Sequence, residues 1–190
     1  MQTHKTLFQS GKDTLRLPHA ERTAPRHTEI LLALGCAALL ALAVWGPVVV
    51  LPGHYHEFAD QRGWPWLPNA LDVLSNLAFA VLGLIGLARL RTWGGLDTGG
   101  AQRPMARMFF VGLLLTALGS GWYHWQPDDA GLKLDRLGMV AFAGLIGLLT
   151  AGRVSDRAAR ALSVLTLFAG AASALLAETR LDQLPWAVVQ

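Results

Sequence analysis

The chain has 190 residues, of which 53% are hydrophobic and 15% charged. A soluble domain carries about 25% charge, and a mean hydropathy of +0.37 also points away from a soluble protein and toward an integral membrane one. The net charge of +3 and a pI near 9.5 do not mark a nucleic-acid binder, because the basic residues fall in alternate loops rather than on one face, as the positive-inside rule requires.

Residues 1–29 are polar and of mixed charge, with Lys5, Lys12, Arg16, Arg22 and Arg26 against Asp13, Glu21 and Glu29. They read as a cytoplasmic tail ahead of a membrane bundle over 30–190. Ile30 to Leu51 is an uncharged run long enough to cross a hydrocarbon core of about 30 Å. Pro52 and Gly53 are expected to end it. It is not a signal peptide, since the polar region before it is too long and no small-x-small cleavage site follows. Its Cys36 is the only cysteine in the chain, so no intrachain disulfide forms.

The loop 52–68 is rich in His, Trp and Pro, a composition suited to the membrane–water boundary. A second span is expected over about 69–91, with Asn69 as its N-cap. Asp72, Ser75 and Asn76 stand at i, i+3 and i+4 and share a face of this helix. Ser75 and Asn76 read as interhelical hydrogen-bond partners. After the Gly-rich loop Trp93 to Gly100, spans are expected over about 105–125, 132–152 and 161–177. Glu178 to Asp182 form a short polar loop, and Pro185 to Gln190 read as the first turn of a sixth helix. The fold class expected is all-α, a polytopic membrane bundle with five spans and the start of a sixth.

Loop charges set an expected topology. The tail and the loops near 89–107 and 153–160 hold twelve of the sixteen Lys and Arg. Arg62, Lys133, Arg136 and Arg180 are the rest. Five spans with the N-terminus inside satisfy this pattern, and the residues 119–139 then close toward the outer face, periplasmic in a bacterial inner membrane.

That stretch carries the chemistry. Ser120 and His124 are i and i+4 on one helix face, and Asp135 follows eleven residues after His124, across a turn through Gln126-Pro-Asp-Asp. Asp128 and Asp129 read as turn-forming and capping residues. Ionisable groups within a membrane segment are costly and mark function by default. A neutral imidazole is a common zinc ligand, and a carboxylate beside it suits a general base. A serine hydroxyl there suits a donor to a developing oxyanion. Catalytic zinc takes three protein ligands and one open position. His54 and His56 lie in a loop on the same side, within reach, but read more simply as solvated loop residues.

Gly119-Ser120-x-x-Tyr123-His124, followed by Asp135-Arg-Leu-x-Met139, resembles the paired motif of the alkaline ceramidase family, part of the CREST superfamily of membrane hydrolases. Asp72-Val-Leu-Ser75-Asn76-Leu-Ala-Phe resembles the preceding helix of that family. The resemblance covers roughly 69–190 and implies a seven-helix fold around a zinc ion, with 30–51 as an extra N-terminal helix. It implies His124 as a zinc ligand, Ser120 and Asp135 as catalytic or orienting residues, and a lipid amide such as ceramide as substrate. Calcium is implied as a second ion, for which Glu57, Asp60, Asn69 and Asp72 are in the right region without matching spacing. Two departures stand out. The family's last-helix His-x-x-x-His is absent from this chain, so truncation at the C-terminus is expected, and Gly138 stands where proline is frequent. A catalytically incomplete or receptor-like membrane protein is the reading from another class. A transporter or channel would place polar residues along a central path, whereas here they gather at one end.

Overall fold

The computed structural model describes residues 26–58, 61–92 and 100–189. Residues 1–25 of the expected tail 1–29, Asp60, and residues 93–99 of the expected Gly-rich loop lie outside them. The described residues are helical throughout their ordered elements: α1 Arg26–Trp45, α2 Ala70–Ser75, α3 Leu77–Leu90, α4 Gln102–Trp125, α5 Asp129–Asp135, a 3-10 turn Arg136–Gly138, α6 Met139–Thr150, α7 Asp156–Thr179 and α8 Leu184–Val189. Four helical runs, His27–Trp45, Ala70–Leu90, Gln102–Trp125 and Asp156–Thr179, are long and apolar enough to cross a membrane. The protein is an all-helical, membrane-embedded chain.

The first span differs from expectation at both ends. It starts inside the polar segment, because Glu29 belongs to its first turn and accepts a hydrogen bond from Ser155 N at 2.9 Å. It stops at Trp45 rather than at Pro52. Pro47 supplies no N–H and disfavours helical backbone at the residue before it, Gly46. The β-branched Val48, Val49 and Val50 then run without helical structure. This segment is tied to the loop before α8: Gln183 N donates to Val49 O at 2.7 Å, and Val49 N donates to Asp182 Oδ1 at 3.0 Å.

The expected span 132–152 is also interrupted. Asp135 and Gly138 are poor residues for a helix interior, and the chain tightens there into the 3-10 turn. The uninterrupted part, α6, has 12 residues and reaches only about 18 Å at 1.5 Å per residue. The run α5–α6 nevertheless lies antiparallel beside α4. Gly119 packs on the backbone of Leu134 and Asp135, Gly138 on Thr116, Gly112 on the backbone of Ala141, and Gly144 on that of Phe109. Small residues permit this close approach in a membrane bundle, where dispersion and hydrogen bonds replace the hydrophobic drive.

The same logic orders the other neighbours. Gly83 and Gly86 of α3 pack on Phe110 and Leu114 of α4. Gly170 of α7 packs on Met139, and Gly147 of α6 on Met105 and Ser163. Ser163 is fully buried and donates across the α6–α7 contact to Ala143 O at 2.8 Å. α7 starts at Ser155, whose hydroxyl accepts from Ala158 N, giving the helix a side-chain N-cap. α8 lies where a sixth helix is expected to begin. The result places Asn69, Asp72, His124 and Asp135 at one end of the bundle, and Arg89, Arg91, Arg153 and Arg157 at the other.

Candidate functional site

α2 crosses the C-terminal end of α4 and is fastened there by Asn69. This residue adopts left-handed backbone, φ 47° and ψ 44°, a conformation that asparagine tolerates better than most residues. It stands at the N-cap position expected from the sequence, but its side chain makes no hydrogen bond to its own helix. Asn69 Nδ2 instead donates to His124 O at 2.9 Å. The terminal carbonyls of α4 have no intrahelical donor, so Asn69 satisfies one of them.

His124 is the centre of the arrangement. Its Nδ1 lies 3.9 Å from Asp72 Oδ2, with the two side chains 25% and 32% exposed. Nδ1 itself is sealed from solvent and has no hydrogen-bond partner. On another side the Phe58 ring packs against the imidazole at 4.5 Å between centroids. Ser75 and Asn76 do not reach neighbouring helices as expected. Ser75 Oγ donates to Asp72 O at 2.7 Å, and Asn76 Nδ2 donates to the same oxygen at 2.8 Å. The facing position on α4 is Gly121, which offers no side chain to bond, so both residues turn back on their own helix.

Ser120 lies one turn before His124 on α4, and both are partly buried. Asp135, also partly buried, ends α5 on the turn against which Gly119 packs. Ser120 and Asp135 therefore occupy adjoining turns of α4 and α5. Among the described residues no hydrogen bond joins Ser120, His124 and Asp135 to one another. The carboxylate that faces His124 at ion-pair distance is Asp72.

The loop 52–58 adds groups that the sequence does not announce. His56 was expected to be a solvated loop residue. Instead its ring is 28% exposed, with Nδ1 3.0 Å from Tyr123 Oη and Nε2 3.2 Å from Asp129 Oδ1. One neutral tautomer serves both contacts: Nε2–H donates to the carboxylate and Nδ1 accepts from the phenol. His54 is exposed, as expected. Asp128 caps α5 through Gly131 N at 2.6 Å, also as expected.

Arg136 is a further residue that sequence reasoning left in a loop. It is 7% exposed. Nη1 donates to Ala174 O at 3.3 Å, Nη2 to Gln183 Oε1 at 2.5 Å, and the guanidinium lies 5.0 Å from the centre of the Trp186 ring. A charged residue within an apolar stretch was the available signal.

Whether these residues fit a metal can be judged from the donor set. His124 Nδ1 and Asp72 Oδ2 are two donors in proximity. Catalytic zinc takes about three protein ligands, and among the described residues no group of three or more His, Cys, Asp or Glu is gathered to hold an ion. Glu57 and Asp72, two of the residues proposed from the sequence for calcium, belong to no such group. No protein-family model matches the chain, and no curated protein or solved structure is significantly similar to it.

Proposed function

We propose that the chain carries part of the active centre of a membrane hydrolase of the alkaline ceramidase type, which cleaves the amide bond of a lipid such as ceramide. The observation that carries this is His124: a partly exposed imidazole with a sealed and unpartnered nitrogen facing a carboxylate, at the end of an apolar helix. A group so placed is costly unless it is used. In this reading His124 would be one zinc ligand. Zinc, when bound, would supply Lewis acidity. The described donors do not complete its site. In this reading Ser120 donates its hydroxyl to an amide oxygen that gains charge. Asp135 takes a proton from an attacking water. The apolar helix surfaces admit a lipid substrate from the bilayer side. The N-terminus is cytoplasmic, and the site end faces the periplasm of a bacterial inner membrane.

The incomplete donor set favours one second reading, a catalytically incomplete membrane protein that keeps the motif. Purified protein in nanodiscs tests both. Zinc near one per chain, lost in His124→Ala, together with release of a sphingoid base from ceramide, supports the hydrolase. Zinc-free protein that releases no base overturns it in favour of the second reading.

A further inference from the structure

We infer that Asp72 is the positioning residue for His124: it holds the imidazole as the Nδ1–H tautomer, which leaves Nε2 as the nitrogen open to an incoming group. This inference rests on the reading of His124 as a working residue of the proposed hydrolase and adds a partner to it. A neutral imidazole carries one proton, and its position is set by what the other nitrogen faces. Nδ1 is sealed from water and faces one anion, Asp72 Oδ2, at 3.9 Å. At that distance the contact is electrostatic and not a formed hydrogen bond. With Nδ1 deprotonated, its lone pair would face a carboxylate. With Nδ1 protonated, the N–H dipole meets the negative charge. The other carboxylates of this end are engaged or turned elsewhere. Asp129 holds His56, Asp128 caps α5, and Asp135 ends α5 on the turn against which Gly119 packs.

The surroundings are built to keep the pair in register. Asn69 holds the backbone carbonyl of His124, and Phe58 packs against its ring. Ser75 and Asn76 both donate to the backbone carbonyl of Asp72. Two polar residues, at i+3 and i+4, thus converge on the carbonyl of the residue that carries the carboxylate. Nδ1 is the sealed nitrogen of a ring whose side chain is 25% exposed, so incoming groups meet the edge away from Asp72. A carboxylate behind a ligating imidazole is the usual means of fixing tautomer and ring orientation.

The test is nitrogen NMR on histidine-labelled full chain in nanodiscs after chelator treatment, with the His124 signals assigned from a His124→Gln difference spectrum. The Nδ1–H tautomer is expected to dominate in the parent. Asp72→Asn keeps the shape and removes the charge, and is expected to lower the ratio of Nδ1–H to Nε2–H by about fivefold or more. Asp72→Glu is expected to restore part of it. An unchanged ratio in Asp72→Asn, or an Nε2–H majority in the parent, would overturn the assignment. Should Asp72→Asn fail to fold, Asp72→Ser gives the same comparison with the same two outcomes. The readout needs neither zinc nor hydrolysis. A tautomer shift in a protein that proves zinc-free and inactive leaves the positioning role standing while the hydrolase falls.

Discussion

At the scale of single residues, two side chains carry most of the consequences. Arg136 is buried, and two of its nitrogens donate to groups on or beside α7 and α8. Hydrogen bonds from a charged donor contribute roughly 1.5–3 kcal/mol each, and their loss takes the Arg136 donor from Gln183 Oε1. Arg136→Met, similar in reach but without donors, is expected to lower stability by about 2 kcal/mol, read by denaturant unfolding in detergent. The second is His124, whose partner illustrates how much of the site was legible. Its role as a candidate follows from a histidine set in an apolar helix with a serine one turn earlier. Its pairing does not. Asp135 is near in sequence, whereas Asp72 comes from a helix 52 positions earlier and arrives because Asn69 fastens α2 over the end of α4. Polar spacing on one helix defines a face but not what crosses it.

At the scale of elements, packing and capping make separate demands that can be tested separately. A Cβ at Gly119 would collide with the Leu134 carbonyl, whereas at Gly35 it would meet nothing. Gly119→Ala is therefore expected to destabilise the α4–α5 contact by about 1–3 kcal/mol, while Gly35→Ala is neutral or slightly favourable through helix propensity. Both are read from thermal unfolding of the same preparation. Ser155 caps α7, and Ser155→Ala is expected to cost about 0.5–2 kcal/mol in that assay. Helix α7 was legible because apolar length and flanking arginines mark it. The end of α1 was not, because an uncharged Val-rich run looks the same to a hydropathy count whether coiled or extended. Gly46-Pro47 held the local signal. The break before α6 likewise rests on Asp135 and Gly138, residues noted for the motif they resemble rather than for their low helix propensity.

At the scale of the whole molecule, the bundle separates a polar end from a basic end. The proposed topology places Arg153 and Arg157 inside and Asp129 outside. A cysteine introduced at Asp129, whose side chain is 85% exposed, is expected to react with a membrane-impermeant maleimide added to intact cells, whereas one at Arg157 reacts only after lysis. The opposite labelling pattern would overturn the orientation. The parent chain's sole thiol, Cys36, lies inside α1, which keeps the background low. Membrane embedding was readable from composition and hydropathy. The antiparallel succession α3, α4, α6 and α7 was readable from alternating loops. The lateral order was not, because it depends on which glycines meet which backbone.

Helix α1 meets the rest near its two ends: Glu29 pairs with Ser155 and Leu32 packs on the cluster around Ala101 and Ala159 at one, and just past the other Val49 pairs with Asp182 and Gln183. The best 18-residue apolar window of α1 contains no buried residue. Such a helix shares little of its surface with its neighbours, so its release exposes little that was hidden. It should behave as a cooperative unit of its own, opening at a lower free energy than the glycine-packed helices beside it. Pulled from the N-terminus in a single-molecule experiment, the chain is expected to surrender α1 first, in a discrete low-force step. Glu29→Gln weakens one of the two fastenings and is expected to lower that force while leaving later steps unchanged.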